Sequence, residues 1–468
     1  MGTTEDLARF IAETHYDDLP AEVVAAAKIG ILDGVANLLA GSTQPVAQIV
    51  SAYTLELGGT PVSSVIGHGF KTNPLNAAFA NGVSGHCLDF ELQGQPSSHG
   101  TSSILPGPLA LAEAQGGASG KELIVAYALG WDVQQRIVAA SHRAGANLRG
   151  FHPPGVYGPL GGTASAAKML KLNQEQVQMA LGIGASRTGG LFANNGTMVK
   201  STHPGNAARM STEAALLARR GFLSHDAIFE SPRGYVSVLF DDRFDWDGFL
   251  ADAGTVFHLV DPGFNIKRYP AQIGMQPVIN VMSDLRDTYH LTQEEVATVE
   301  IELSRAPGHE SRPHPTSGLD GKFSFEYCAI IPLVTNPVGI DAFSDATRFT
   351  PAVDEALTKV SLRHNPAIGR GANAIVTMKD GRVLKGECRD FRGSIRNPMT
   401  RDEHYVKYLD CAKRVLPPED IDRVRDMVEN LERLADIRQL IALLAPSPKG
   451  DCLKSHLDRV QQWSPYLL

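Results

Sequence analysis

From Thr3 to about Asp261, apolar residues recur three and four positions apart, the period of helices that each bury one face. The stretch DDLPAEVVAAAKIGILDGVANLLAG carries helix punctuation: Asp18 can cap, Pro20 suits the first turn, and Gly41 follows the last periodic leucine. Later segments, NPLNAAFANGVSGH, GGTASAAKMLKL, MALGIGASRTGG and GNAARMSTEAALLARRG, are rich in Ala and Gly. Small residues let helix axes approach closely, so a bundle of many short helices is expected. SSVIGHG, near Ser63, is one short β-like interruption.

The period changes after Tyr269. VEIEL, ending at Leu303, alternates like a half-buried strand, and KVSLRH near Val360 is a second strand. AIVTMKDGRVLKGEC reads as a hairpin turned at Asp380-Gly381. Helical segments are predicted between these strands at Ala271–Thr288, Lys322–Val334 and Pro351–Leu357, and helices resume from Thr400. The expected fold is mainly α. A helical domain spans residues 1–266, a smaller α+β lid domain 267–400, and C-terminal helices over 401–468 return to the first domain.

Length and composition narrow the possibilities. A chain of 468 residues exceeds what one core organises, which favours two domains. Its 43% hydrophobic and 20% charged residues suit a globular enzyme and exclude a disordered chain. The net charge is −8 with no Lys/Arg-rich block, which argues against nucleic acid. An anionic ligand must then be drawn by a few focused lysines. Cys87, Cys328, Cys388, Cys411 and Cys452 are isolated, supporting neither zinc, disulfide nor iron–sulfur sites. Reduced thiols in a cytoplasmic protein are expected. MGTTEDLARF lacks an apolar secretory core, and Asp6 stands where a myristoylation signal needs Ser or Thr. No apolar run is read as membrane-spanning, so no membrane partner is expected.

Chemistry concentrates in NGVSGHCLDFELQGQPSSH, with His86, Asp89, Glu91 and His99, and in three later segments: GFHPPG with His152, MVKSTHPGN with Lys200 and His203, and IKRYP with Lys267. Each places His or Lys beside Gly or Pro, where helices start, stop or bend and side chains can converge on a pocket. Carboxylate, imidazole and ammonium together suit holding a small polyanionic acid while a proton moves on its carbon skeleton. Lys200 and Lys267 read as carboxylate clamps. His152, at a rigid break before Pro153-Pro154, is the first choice as general acid or base. Asp89 and His99 can form an orienting pair. Capping or surface roles are favoured for His86, Glu91 and His203, with His203 kept as a substrate-binding candidate. Tyr327 lies with Phe323 on a predicted helix at core-like spacing. Phosphate-loop, dinucleotide-binding, zinc-protease and nucleophile-elbow signatures are absent.

The segments ANGVSGHCLDF…H, GFHPPGVYGPLGGTASAAKML, KSTHPGNAARMSTEAALLARRGF, IKRYPA and GKFSFEYCA, in this order, resemble the MmgE/PrpD family across essentially the whole chain. That family includes 2-methylcitrate dehydratases, cis-aconitate decarboxylases and iminodisuccinate epimerases. The resemblance implies a helical domain made from both chain ends, an α+β lid, a homodimer, and chemistry on di- or tricarboxylic acids without metal or cofactor. It implies Asp89 and His99 as an acidic/imidazole pair, His152 as the motif histidine, Lys200 and Lys267 as pocket lysines, and Tyr327 as a catalytic lid tyrosine. This chain departs from the pattern at Gln93, where decarboxylases carry Thr, and at Ile273 and Gln276, where relatives carry Arg and His. The expected function is a cofactor-independent lyase, by dehydration or decarboxylation. The alternatives are an epimerase that moves an α-proton without elimination, and a non-catalytic carboxylate-binding protein.

Overall fold

Helix-forming segments rich in Ala and Gly cross where their side chains are smallest, and those crossings set the architecture. The computed structural model describes residues 2–306, 308 and 311–446; Cys452 and the end of the expected C-terminal helices lie outside them. The chain divides into two units. The first takes the chain up to Cys87, Glu91–Phe264, and the chain from Cys411 on; the second takes Leu88–Phe90 and Asn265–Asp410.

In the first unit, α1 (Ala21–Ser42) is buried along its second half. It starts after Pro20 with no side-chain cap, and Asp18 instead accepts from the His15 amide at 2.7 Å in a short preceding turn. Gly41 lies inside the last turn, where an added Cβ would sit 1.8 Å from the Ser84 carbonyl oxygen. Close approach to α2 (Pro74–His86) therefore demands glycine here, not the expected C-cap. By length and composition α1 could cross a membrane, correcting the expectation that no run reaches that length. Its most apolar window is 78% buried, as suits a core helix.

Asn73 caps α2 by accepting from the Leu75 and Asn76 amides. Ser119 and Glu122 form a capping box at α3 (Gly120–Arg143). Next come α4 (Pro153–Met169), whose N-cap is His152, and α5 (Val199–Ala218). A Cβ on Gly82 would lie 2.8 Å from the Gly205 Cα, so α2 and α5 cross backbone against backbone. This crossing brings the C-terminal end of α2 and the first turn of α5 into one core. The Ser63 segment is β1 (Ser63–Val65), paired antiparallel with β2 (Phe70–Thr72).

The second unit is built on β3 (Val296–Leu303), β4 (Val360–His364), β5 (Ala372–Met378) and β6 (Val383–Cys388), in spatial order β4-β3-β5-β6. Val299 pairs with Val360 in parallel and with Val376 antiparallel. The β5–β6 hairpin turns at Asp380-Gly381, with Gly381 at φ +90°, as the sequence predicts. Alternate residues of β5, among them Ala374 and Val376, bury against α6 (Gln276–Tyr289) and α7 (Phe325–Val334) in one core with Val278, Met282 and Ile330. Both helices begin later than expected. Ile273–Met275 forms a separate tight turn, and Ser324 caps α7 by accepting from the Tyr327 amide at 3.0 Å. The expected mainly α fold with a smaller α+β region is the fold observed. Finally, α8 (Arg401–Ala412) belongs to the second unit as far as Asp410. Cys87, Cys328, Cys388 and Cys411 are buried free thiols.

Candidate functional site

In the first unit, the end of α2 and the loop that follows Glu91 place a carboxylate against two imidazoles. Glu91, fully buried, accepts from His86 Nδ1 at 2.6 Å, Ser102 Oγ at 2.6 Å and the Ser102 amide at 2.8 Å. His99 Nδ1 stands 3.6 Å from the same carboxylate. The loop holds its shape by a β-bridge between Gln93 and His99, a Gly94 amide bond to the Ser98 carbonyl, and a Gln93 side-chain bond to Ser97 Oγ.

The imidazoles continue as a buried row. Ring centroids are 4.8 Å apart for His99–His86, 5.7 Å for His86–His152 and 5.1 Å for His152–His203. His152 anchors its backbone N–H on the Gly190 carbonyl at 2.9 Å and makes no side-chain cap to α4. Its Nδ1 lies 3.1 Å from His203 Nδ1, so one ring donates and the other accepts. Burial, and then the nearby Lys200 ammonium, hold the pKa of His203 below the usual imidazole value. Lys200 and His203 share the first turn of α5, three residues apart on one face, and both are buried.

In the second unit, Asp89 adopts a left-handed conformation, φ +52°, in the Leu88–Phe90 segment. The fully buried Lys267 ammonium binds both its carboxylate and, at 2.9 Å, its carbonyl oxygen. The chain at Lys267 is fixed from both sides. The Ile266 amide donates to the Gly393 carbonyl at 2.7 Å, and Gln276 ties the Tyr269 amide and the Tyr269 and Ala271 carbonyls.

Within the first unit His99 has Glu91 beside it, and within the second unit Asp89 pairs with Lys267. Lys267 bonds Asp89, and Lys200 sits beside His203. Tyr327 is buried in the second core with its hydroxyl donating to the Ala342 carbonyl at 2.6 Å, and burial pushes its pKa up. His86 and Glu91, for which the sequence favours capping or surface roles, are buried at the centre of the network. Their spacing of five matches no single helix face, because the chain leaves α2 between them.

Among the described residues, His86, Glu91 and His99 place one ligand atom each within 4.8 Å of one another, a donor set a metal ion can use. The 2.6 Å His86–Glu91 separation is nevertheless a hydrogen bond, since two ligands of one ion stay about 3 Å or more apart. Both Glu91 oxygens also accept from Ser102. A metal could enter only by displacing those bonds.

Comparison with known proteins adds what geometry leaves open. Residues 5–247 match the family model for the MmgE/PrpD N-terminal domain, and residues 269–433 match that for the MmgE/PrpD C-terminal domain. The chain is similar to the cis-aconitate decarboxylase of Homo sapiens, at 30% identity over 95% of each chain. It is similar to that of Mus musculus, at 28% over 99% of this chain and 96% of the relative. A cis-aconitate decarboxylase of Aspergillus terreus shares 25% identity over 95% of this chain and 96% of its own.

Proposed function

Because the chain belongs to the MmgE/PrpD family, with both family domains present, we propose that it is a cofactor-independent lyase that removes CO₂ from a small polycarboxylate of the cis-aconitate kind. The lyase class is supported by relatives that carry the cis-aconitate decarboxylase name over nearly their whole length. The observation that carries the mechanism is the His152–His203 contact of 3.1 Å, with the pKa of His203 lowered by burial and by Lys200.

In a β,γ-unsaturated acid, the C–C bond to the departing carboxylate breaks and its electron pair forms a new C=C. The pair of the original alkene moves one carbon on, and that carbon takes a proton. One C–C bond is broken, one C–H bond is made and CO₂ leaves. The His152–His203 pair can relay that proton and recover it from solvent. Lys200 offers an ammonium to a substrate carboxylate in a site where burial strengthens the attraction. An ionised Glu91 keeps the proton of His86 on Nδ1 and so fixes its tautomer. Asp89 and Lys267 form a second acid/base pair within their own unit.

A second reading, an epimerase of a small dicarboxylate, is favoured by Gln276. Its amide bonds the Tyr269 and Ala271 backbone, at a position where the family resemblance implies an imidazole. Proton NMR of cis-aconitate and a panel of chiral dicarboxylates in D₂O separates the two. CO₂ loss with a new alkene supports the lyase; exchange or inversion with every carbon retained supports the epimerase.

A further inference from the structure

The second unit contains three buried lysines, and each donates to one of three successive backbone carbonyls. Lys322 Nζ bonds the Leu88 carbonyl at 3.1 Å, Lys267 Nζ the Asp89 carbonyl at 2.9 Å, and Lys407 Nζ the Phe90 carbonyl at 2.6 Å. The lysines come from separate parts of the chain. Lys322 precedes α7 and also bonds the Pro270 carbonyl at 3.0 Å; Lys407 lies on α8 with its ammonium 4.0 Å from the centroid of the Phe90 ring. Buried ammonium groups are costly unless bonded, so three of them converging on three residues is a construction, not a solvated charge face. The middle residue, Asp89, holds a left-handed backbone that a non-glycine side chain seldom takes. From these observations we propose that Lys322 and Lys407 are positioning residues. They strap the Leu88–Phe90 segment into the second unit and so hold the carboxylate of Asp89 on Lys267.

This inference rests on the lyase reading only for its catalytic consequence; the strap itself can be tested without substrate. The test uses the full chain as Lys322→Met and Lys407→Met, with the exposed Lys379→Met as control, under hydrogen–deuterium exchange with mass spectrometry. Met keeps the length of the stem and removes the ammonium. The strap predicts that peptides covering residues 88–93 exchange at least about tenfold faster in both variants while the β3–β5 peptides keep their protection. The control should match wild type. If Lys322→Met, which loses two carbonyl bonds, does not fold, Lys407→Met, which loses one, decides alone. Unchanged exchange at 88–93 overturns the strap. With turnover of cis-aconitate, the positioning role predicts kcat down about tenfold or more with KM held within about threefold. Faster exchange with unchanged kcat overturns the positioning role. A wild-type chain inert towards cis-aconitate would remove the substrate reading and leave the exchange result standing.

Discussion

Glu91→Gln separates the chemistry of the histidine row from its architecture. In the wild-type protein, Glu91 Oε1 takes the His86 Nδ1 and Ser102 Oγ bonds, and Oε2 takes the Ser102 amide. A glutamine can keep its carbonyl oxygen on the Ser102 amide and point its NH₂ group at His86 and Ser102 Oγ. The hydroxyl can rotate to accept, and His86 can accept at Nδ1 by moving its proton to Nε2. All three contacts survive, each reduced from the charge-assisted to the neutral class, at about 1 kcal/mol per bond and about 3 kcal/mol together. For a chain of this size that is a fall in thermal midpoint on the order of 5 °C. The tautomer of His86, however, is reversed. Turnover should drop by about two decades or more, the scale of one general acid–base contribution. Glu91→Ala instead leaves buried donors of His86 and Ser102 without an acceptor, and should cost about 3–5 kcal/mol. Thermal melts and steady-state kinetics of both variants check the argument. A Gln variant that keeps wild-type turnover, or that melts as low as the Ala variant, refutes it.

Other outcomes follow from the same geometry. His203 has a folded-state pKa below its unfolded value, so its stabilising contribution is complete above about pH 6.5 and is lost as pH falls towards the folded value. Urea midpoints of His203→Gln should therefore fall less than wild type between neutral and mildly acidic pH; identical slopes would contradict this. Lys267→Met leaves the Asp89 carboxylate buried without its cation and should destabilise by about 3–5 kcal/mol. Adding Asp89→Asn should restore more than about 1 kcal/mol of that loss, read as coupling in a double-mutant cycle; strict additivity would count against the pair. Dialysis against EDTA should leave the thermal midpoint and turnover unchanged, because the Glu91 oxygens are already engaged by His86 and Ser102. A drop in either that zinc restores would assign a metal to His86, Glu91 and His99.

Local signals made the secondary structure legible. The Asp380-Gly381 turn, the alternation of VEIEL and the Ala/Gly-rich segments each specify their element through backbone preference or through the period of burial. Cap and packing roles were less legible, as Gly41 shows: its glycine is required by the Ser84 carbonyl of another helix, which no local pattern reveals. The site residues were visible as a set because Gly and Pro mark where the helices break. Their pairing was not. Glu91 and Asp89 are two residues apart, yet the chain between them passes from one unit to the other, so near neighbours in sequence serve different units. Lys322 and Lys407 stand in no recognisable motif, because they bond backbone carbonyls, which have no side-chain signature.

A proton delivered by this protein should accompany the loss of CO₂ from a cis-aconitate-like acid. The direct test incubates the purified wild-type chain with cis-aconitate in D₂O and follows CO₂ release together with the proton and carbon spectra of the product. One CO₂ per substrate consumed, a shifted alkene, and one solvent deuteron on the carbon where the original double bond ended are expected. Recovery of the acid unchanged, or deuterium entering a fully retained carbon skeleton, contradicts this expectation.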